Sequence, residues 1–147
     1  MSHIEVISEC ADFEVPAPVV WNLLVDWGSI CDWMPGGYIH DLRIEGRGPG
    51  AIRHLVTGKG IHLSERLDKA DELSGVLELS LVGPLPWGLL SYRATGKLDS
   101  ISDHRSRLTW QGTPEMPARG PESNQVVKLL RKSYRNMFLG IKRKVEA

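Results

Sequence analysis

The chain has 147 residues, 41% of them hydrophobic and 24% charged, and its 18 basic and 18 acidic residues give a formal net charge of zero. This length and composition predict a single globular domain over residues 1–147. A balanced charge provides no overall field that attracts the chain to nucleic acid or an anionic membrane, so DNA is not an expected partner. The first residues do not form a signal peptide, and no stretch approaches the roughly 18 apolar residues of a membrane span, so we expect a cytoplasmic protein.

The N-terminal part of the chain predicts a strand followed by two short helices. Apolar residues are interspersed with polar ones over residues 3–15, which is typical of a strand. Pro18 suits the first turn of a helix, where its missing N–H has no partner to lose. Ser29 is a candidate N-cap for the second helix, and Pro35 with the two glycines after it ends that helix.

The rest of the chain predicts an antiparallel sheet covered by one long helix. Between residues 38 and 113, short runs with apolar and polar residues in alternation are separated by turns rich in glycine and proline. With the first strand these runs make seven strands, and their short connections favour antiparallel pairing. From about Pro121 the sequence indicates a helix of about 25 residues, apolar along one face and about 40 Å long. Such a helix can cover one face of the sheet, so the predicted fold class is α+β.

The turn at residues 57–60 lies between two strands whose register can be predicted. One register places Leu55 opposite Leu63. The same register places Arg53 opposite Glu65, and because side chains alternate, all four project from one mainly apolar face. We therefore expect a charged pair that faces the interior, where water or a polar ligand group could reach it. Two alternatives stay open: a structural ion pair at the rim of the sheet, and a slip of one residue that turns the two charges apart.

Alternation also assigns inward positions on the later strands and on the long helix. The residues assigned in this way include Leu79, Tyr92, Trp110, Tyr134, Met137 and Ile141. Small residues at Ala94, Gly96 and Gly112 share the inner face of the sheet. Opposite a long helix, such small residues either leave space for a ligand cavity or allow the helix to pack more closely.

Tryptophan occurs at five positions. Trp87 follows Gly-Pro-Leu-Pro and is interpreted as packed rim structure, as a lid over a ligand or as a contact in a homodimer. Trp110 lies in the middle of a strand on the inward face and is the stronger cavity candidate. Trp21, Trp27 and Trp33 are interpreted as helix-packing residues without a functional role.

Four segments of the sequence, taken in order, carry a family pattern. They are VPAPVVWNLLVDWGSICDWMP (15–35), GRGPGAIRHL (46–55), LSERLDKADE (63–72), and GPLPWGLLSYRATGKL (83–98) followed by RSRLTWQGTPE (105–115). Their order and spacing resemble the START-like, or SRPBCC, superfamily, and most closely its polyketide cyclase/dehydrase branch. The resemblance covers nearly the whole chain.

The resemblance implies a helix-grip fold, in which a curved, seven-stranded antiparallel sheet wraps around the long C-terminal helix and two short helices close one end. It implies a cavity for a small apolar molecule between sheet and helix, with a gate at residues 57–60 and a second loop at residues 83–86 beside the mouth. Arg53, Glu65 and Tyr92 match positions where relatives often place polar cavity residues. Together with the inward positions, the predicted ligand-binding residues are Arg53, Leu55, Leu63, Glu65, Leu79, Trp87, Tyr92, Trp110, Tyr134, Met137 and Ile141.

The function that these expectations favour is binding of a small hydrophobic ligand, similar to a lipid, a polyketide or an aromatic compound. The sequence has no GxSxG, HExxH or P-loop motif, and its histidines share no ligand spacing, so neither a metal nor a cofactor is expected. The alternative is a polyketide cyclase or dehydratase, in which Glu65 acts as base and Tyr92 donates a hydrogen bond to a carbonyl oxygen, with Arg53 in the same site. Whether the protein is an enzyme is left open.

Two further features are weaker candidates. His40 shares an alternating face with Tyr38 and Leu42, so it could look into the cavity or be an ordinary structural residue. The long helix carries a basic stripe formed by Lys128, Arg131, Lys132, Arg135 and Lys142. The stripe could bind an acidic protein or RNA, although a solvated helix face is the simpler explanation.

Overall fold

The computed structural model describes residues 1–147 and contains eight strands and three helices. In chain order they are β1 (His3–Ile4), β2 (Ile7–Phe13), α1 (Ala17–Val25), α2 (Ile30–Trp33), β3 (Ile39–Glu45), β4 (Ile52–Thr57), β5 (His62–Asp71), β6 (Val76–Leu81), β7 (Ser91–Ser102), β8 (Arg105–Met116) and α3 (Pro121–Val145). The predicted α+β class, the two short helices and the long final helix are confirmed. None of the helices is long and apolar enough to cross a membrane.

All the strands belong to one antiparallel sheet in the order β1-β8-β7-β6-β5-β4-β3, and β2 also pairs with β8. The predicted first strand, residues 3–15, is divided into β1 and β2, because the pairing with β8 is interrupted around Pro114. Proline has no N–H to donate to a neighbouring strand, and only the N–H of Glu5 donates to the Pro114 carbonyl oxygen, at 3.2 Å. The sheet wraps around α3, as the helix-grip fold requires.

The core lies between the concave face of the sheet and α3. Along α3 the buried residues recur every three or four positions and include Val126, Leu130, Tyr134, Met137 and Ile141. Each such apolar side chain contributes about 1.5–3 kcal/mol when it is removed from water, so this stripe fixes the helix across the sheet. The predicted helix face is confirmed.

Ser29 precedes α2, but it does not cap that helix as predicted. Its backbone is already helical, with φ −81° and ψ −6°, whereas a capping residue normally has an extended backbone. Its hydroxyl oxygen lies 3.0 Å and 2.8 Å from the carbonyl oxygens of Leu23 and Asp26, and it accepts a hydrogen bond from Trp33 Nε1 at 3.1 Å. Ser29 therefore ties α2 to the end of α1, which positions one wall of the cavity described below.

Candidate ligand-binding site

A cavity of about 500 Å³ lies between α3 and the strands that face it. Of the 26 residues that line it, 17 are hydrophobic, so its wall is predominantly apolar. The lining comes from α2, the segment that joins α2 to β3, strands β3 to β8, the loop that joins β4 to β5, Trp87 in the loop after β6, and the middle of α3. Exposed lining residues at Gly37, Gly58 and Lys59 indicate that the cavity opens to solvent beside that loop.

All but one of the predicted ligand-binding residues line this cavity. The residues it brings together are Arg53, Leu55, Leu63, Glu65, Leu79, Trp87, Tyr92, Trp110, Tyr134 and Met137. Ile141 does not line it and is fully buried in the core. The cavity ends before Ile141, because Gly140 packs directly against the backbone of Trp33 and closes that end. The apolar stripe of α3 continues beyond this point. Helical spacing alone could not locate this end.

The inner end of the cavity contains the predicted ion pair. Arg53 lies opposite Glu65, and Leu55 lies opposite Leu63, so the predicted register is confirmed. Arg53 Nε donates a hydrogen bond to Glu65 Oε1 at 2.7 Å, and the two side chains are 7% and 16% exposed. The terminal nitrogens of Arg53 and the second carboxylate oxygen of Glu65 make no hydrogen bond within the protein. The pair is thus neutral as a unit, yet it has donors and an acceptor to spare.

Trp27, in the turn between α1 and α2, holds this ion pair in place. The Arg53 guanidinium carbon lies 3.6 Å from the centroid of the Trp27 ring, a cation–π contact, and Trp27 Nε1 donates to the Glu65 carbonyl oxygen at 3.0 Å. The sequence interpretation of Trp27 as a packing residue only was therefore incomplete. No local signal could have corrected it, because the contact depends on how the turn between α1 and α2 packs against β4 and β5.

Two buried tyrosines face the cavity next to the ion pair. Tyr92 on β7 and Tyr134 on α3 are 6% and 4% exposed, and their hydroxyl oxygens lie 2.5 Å apart. Burial raises the pKa of Tyr134 to about 12 and raises the pKa of Tyr92 well above its usual value. The charge of Glu65 adds to both increases. The two phenols are therefore neutral hydrogen-bonding groups at ordinary pH.

The small residues on the inner face do not leave empty space, as one interpretation had it. A Cβ atom at Gly112 would overlap the Tyr134 hydroxyl and lie 2.8 Å from that of Tyr92. A Cβ atom at Gly96 would lie 2.8 Å from the Trp110 ring. These glycines accommodate aromatic side chains, and the open cavity lies further along the sheet, towards β3 and β4.

His40 does not face the cavity, because a bulge between Ile39 and Asp41 shifts the alternation of β3. His40 is exposed, whereas Ile39 lines the cavity instead. Of the two alternatives for His40, the one in which it looks into the cavity is therefore wrong. A bulge is set by the pairing of β3 with β4, and the sequence of β3 alone does not reveal it.

The mouth of the cavity is formed by parts of three segments. Thr57, Gly58, Lys59 and Ile61 line it, as expected for the predicted gate. Trp87 lines it with 37% of its surface exposed, whereas residues 83–86 do not contribute to the lining. Two hydrogen bonds of Tyr38, which the sequence did not predict, complete the rim. Tyr38 Oη donates to Ser133 Oγ at 2.9 Å, and the Gly58 N–H donates to the Tyr38 carbonyl oxygen at 3.0 Å.

The basic stripe on α3 is partly neutralised, because two carboxylates, those of Glu9 and Glu146, face three of its five basic residues. Arg135 pairs with Glu9 at 2.9 Å, and Arg131 lies 3.9 Å from the same carboxylate. Lys142 pairs with Glu146 at 3.1 Å, and Lys132 lies at the cavity wall. Because only part of the stripe is free, it favours a solvated helix face over a continuous binding surface for RNA or an acidic protein.

The raised pKa values of the two phenols make stability depend on alkaline pH. The unfolded chain loses these protons near pH 10, whereas the folded protein retains that of Tyr134 to about pH 12. We therefore expect the free energy of unfolding to fall as pH rises from 10 towards 12, by up to about 1.4 kcal/mol per pH unit for each phenol. Urea denaturation of the wild type and of Tyr92→Phe/Tyr134→Phe measures the effect, which should be smaller in the variant. Parallel pH profiles for the two proteins would contradict it.

The chain matches the family described as polyketide cyclase/dehydrase and lipid transport over residues 6–146. None of the curated proteins is similar to it at a significant level. Solved structures share its fold at low identity. An uncharacterized protein from Bacillus thuringiensis has a TM-score of 0.81 at 20% identity, with 97% of this chain and 100% of that chain covered.

Two enzymes are also among the structures of the same fold. Norcoclaurine synthase from Thalictrum flavum, in complex with dopamine and hydroxybenzaldehyde, has a TM-score of 0.81 at 18% identity, with 98% of this chain and 87% of that chain covered. The ZhuI aromatase/cyclase from Streptomyces sp. R1128 has a TM-score of 0.78 at 18% identity, with 98% and 94% covered. The family match extends over almost the whole length, and the sheet, the helix and the cavity agree with it. The chain therefore belongs to the polyketide cyclase/dehydrase and lipid transport family of the START-like (SRPBCC) superfamily.

Proposed function

We propose that residues 1–147 act as one ligand-binding domain that holds a small, predominantly apolar molecule in the cavity between the sheet and α3. The observation that carries the proposal is the cavity itself, at about 500 Å³ with a mainly hydrophobic lining. Protein interiors are normally packed as densely as organic crystals, and ligand pockets fall in the range of about 300–1,000 Å³. A space of this size that has an opening is therefore better explained by an occupant than by imperfect packing.

The polar groups at the inner end of the cavity are few and lie close together, which supports a ligand with one polar end that is buried there. The apolar body would contact Leu55, Leu63 and Leu79, while the polar end would meet the Arg53–Glu65 pair and the two tyrosines. Such an arrangement is typical of small-molecule sites, where a mostly apolar wall supplies affinity and a few polar groups fix the orientation.

A variant that fills the cavity tests the proposal. Leu63 points inward from β5 and lines the cavity, whereas its neighbour His62 is exposed on the other face of the strand. We expect Leu63→Trp to weaken binding of the neutral fluorophore N-phenylnaphthylamine by about tenfold or more, since the added ring occupies the ligand's space. His62→Trp adds the same ring outside and should leave the affinity unchanged. Equal affinities in both variants, with melting temperatures preserved, would refute the cavity as the binding site.

A second candidate function is cyclisation or dehydration of a poly-β-keto compound in the same cavity. The observation that favours it is the free oxygen of Glu65 beside two neutral phenols. The carboxylate would take a proton from the carbon next to a carbonyl, and a phenol would donate to the oxygen as it gains charge. The likeness in fold to an aromatase/cyclase and to norcoclaurine synthase is consistent with such chemistry.

Measuring turnover of a poly-β-keto substrate together with ligand binding distinguishes the two candidate functions. If the protein is a cyclase, Glu65→Gln should abolish turnover of a poly-β-keto substrate while the cavity still binds N-phenylnaphthylamine. Binding without turnover in the wild type would leave the ligand-binding function and reject the enzyme.

A further inference from the structure

The tyrosine pair at the inner end of the cavity has one hydroxyl proton for which the protein provides no hydrogen-bond acceptor. Tyr92 and Tyr134 each carry one O–H, and the acceptor that the protein provides for these protons is the other hydroxyl of the pair. The Trp110 ring also hydrogen-bonds to the Tyr92 hydroxyl, but an indole N–H only donates and so offers no acceptor. The bond between the two hydroxyls consumes one of the two protons. The other proton belongs to the phenol that accepts the mutual bond, and it has no acceptor in the protein.

A buried donor without an acceptor is costly, by more than the net gain from an ordinary hydrogen bond. Both phenols are almost fully buried and line the cavity, so an acceptor for the spare proton has to come from the cavity. Gly112 keeps the pair in position, because any side chain at that residue would overlap the Tyr134 hydroxyl. The fold therefore holds a hydrogen-bond donor at the end of an apolar space and leaves its acceptor to the occupant of that space.

We infer that the Tyr92–Tyr134 pair is a donor site for an uncharged oxygen, so that the ligand is an apolar molecule with a ketone-type carbonyl at its buried end. The inference rests on the proposed ligand-binding function and adds the chemical class of the ligand. A carbonyl oxygen accepts one hydrogen bond without donating any, which matches the single unused proton.

The surroundings of the pair disfavour a carboxylate at the same place. Glu65 faces the same end of the cavity, and its negative charge acts on both phenols, as the raised pKa values of Tyr92 and Tyr134 reflect. Arg53 Nε already donates a hydrogen bond to Glu65, and the Arg53–Glu65 pair is neutral overall. A carboxylate beside the phenols would meet the repulsion of Glu65, and the positive charge of Arg53 is already balanced by Glu65, whereas a neutral carbonyl would meet no such repulsion.

The test compares acetylnaphthalene with ethylnaphthalene, substituted at the same ring carbon. They have similar shapes and differ in the carbonyl oxygen. The quantity measured is the ratio of their dissociation constants, determined calorimetrically for the wild type, Tyr92→Phe, Tyr134→Phe and the double variant. Differences in the compounds' own hydrophobicity cancel when this ratio is compared between proteins.

We expect the preference for the ketone to fall roughly tenfold in Tyr92→Phe/Tyr134→Phe, which has no phenolic donor. Either single variant should retain most of it, because the remaining phenol still has a proton to donate. The free energy of unfolding should follow a different order, with the single variants less stable than the double variant. Removing both partners of a buried hydrogen bond is nearly neutral, whereas removing one leaves the other unpaired. Loss of folding therefore cannot imitate the expected pattern. The infrared C=O stretch of bound acetylnaphthalene should move to higher frequency only in the double variant.

The outcomes distinguish this inference from the proposed function. If the wild type binds neither compound, the proposed function itself fails. If it binds both, and the ratio is the same in the wild type and the double variant, the cavity binds ligands but the phenol pair does not select a carbonyl. A naphthoate that binds more tightly than acetylnaphthalene in the wild type would also overturn the inference.

Discussion

Replacing Arg53 with methionine is expected to lower the free energy of unfolding by about 3 kcal/mol, because the change leaves the Glu65 carboxylate without its partner in a desolvated position. The Arg53 side chain is 7% exposed and the Glu65 side chain 16% exposed, so water can compensate only in part. The variant also loses the cation–π contact with Trp27. Urea denaturation at neutral pH measures the loss.

The double variant Arg53→Met/Glu65→Leu should recover most of this loss, since replacing both members of a buried pair removes the uncompensated charge. Arg107→Met is the matched control, because Arg107 donates to Asp12 at the same distance of 2.7 Å on the exposed face of the sheet. We expect a much smaller change there, as is usual for exposed ion pairs. If Arg53→Met were no more destabilising than Arg107→Met, the ion pair would be solvated and not part of the cavity wall.

Replacing Gly140 with alanine is expected to destabilise the protein by about 2 kcal/mol or more, although alanine is a far better helix former than glycine. In an exposed helix the same change stabilises by about 1 kcal/mol. At Gly140 the new Cβ would overlap the Trp33 carbonyl oxygen and lie 3.3 Å from Met34 Cα. Both atoms belong to the backbone, so no side-chain rotation relieves the overlap and α2 must move away from α3.

Thermal and urea denaturation measure the effect of Gly140→Ala, and Leu139→Ala is its control. Leu139 is the adjacent residue on the exposed side of α3, with 54% of its surface accessible, and its change should stay within about 0.5–1 kcal/mol. Stabilisation by Gly140→Ala would mean that the contact between α2 and α3, which closes the end of the cavity, is absent in solution.

The sequence predicts those parts of the site that depend on local alternation. The pairing of Arg53 with Glu65 follows from a short turn and a period of two, and the structure has that register. The apolar face of α3 follows in the same way from the helical period. Both predictions are correct because β4, β5 and α3 are regular at these residues, so the ideal period of a strand or a helix applies there.

The sequence fails where a contact depends on packing between distant elements. The stacking of Trp27 on Arg53 joins the turn between α1 and α2 to β4, and the hydrogen bond between Tyr92 and Tyr134 joins β7 to α3. The inward alternative for His40 failed because a bulge in β3 reverses the alternation after Ile39. Gly112 suggested open space, whereas its missing side chain makes room for two hydroxyl groups, and composition alone cannot separate these alternatives.

The most direct test of the cavity as a binding site uses the four methionines, with their methyl groups labelled with ¹³C for NMR. Met34 and Met137 line the cavity, whereas Met116 is buried elsewhere and Met1 is fully exposed. Titration with acetylnaphthalene should shift the methyl signals of Met34 and Met137 in a saturable way and leave those of Met116 and Met1 in place. Saturable shifts at Met116 alone, or no shift at Met34 and Met137 up to the solubility limit of the compound, would contradict binding between the sheet and α3.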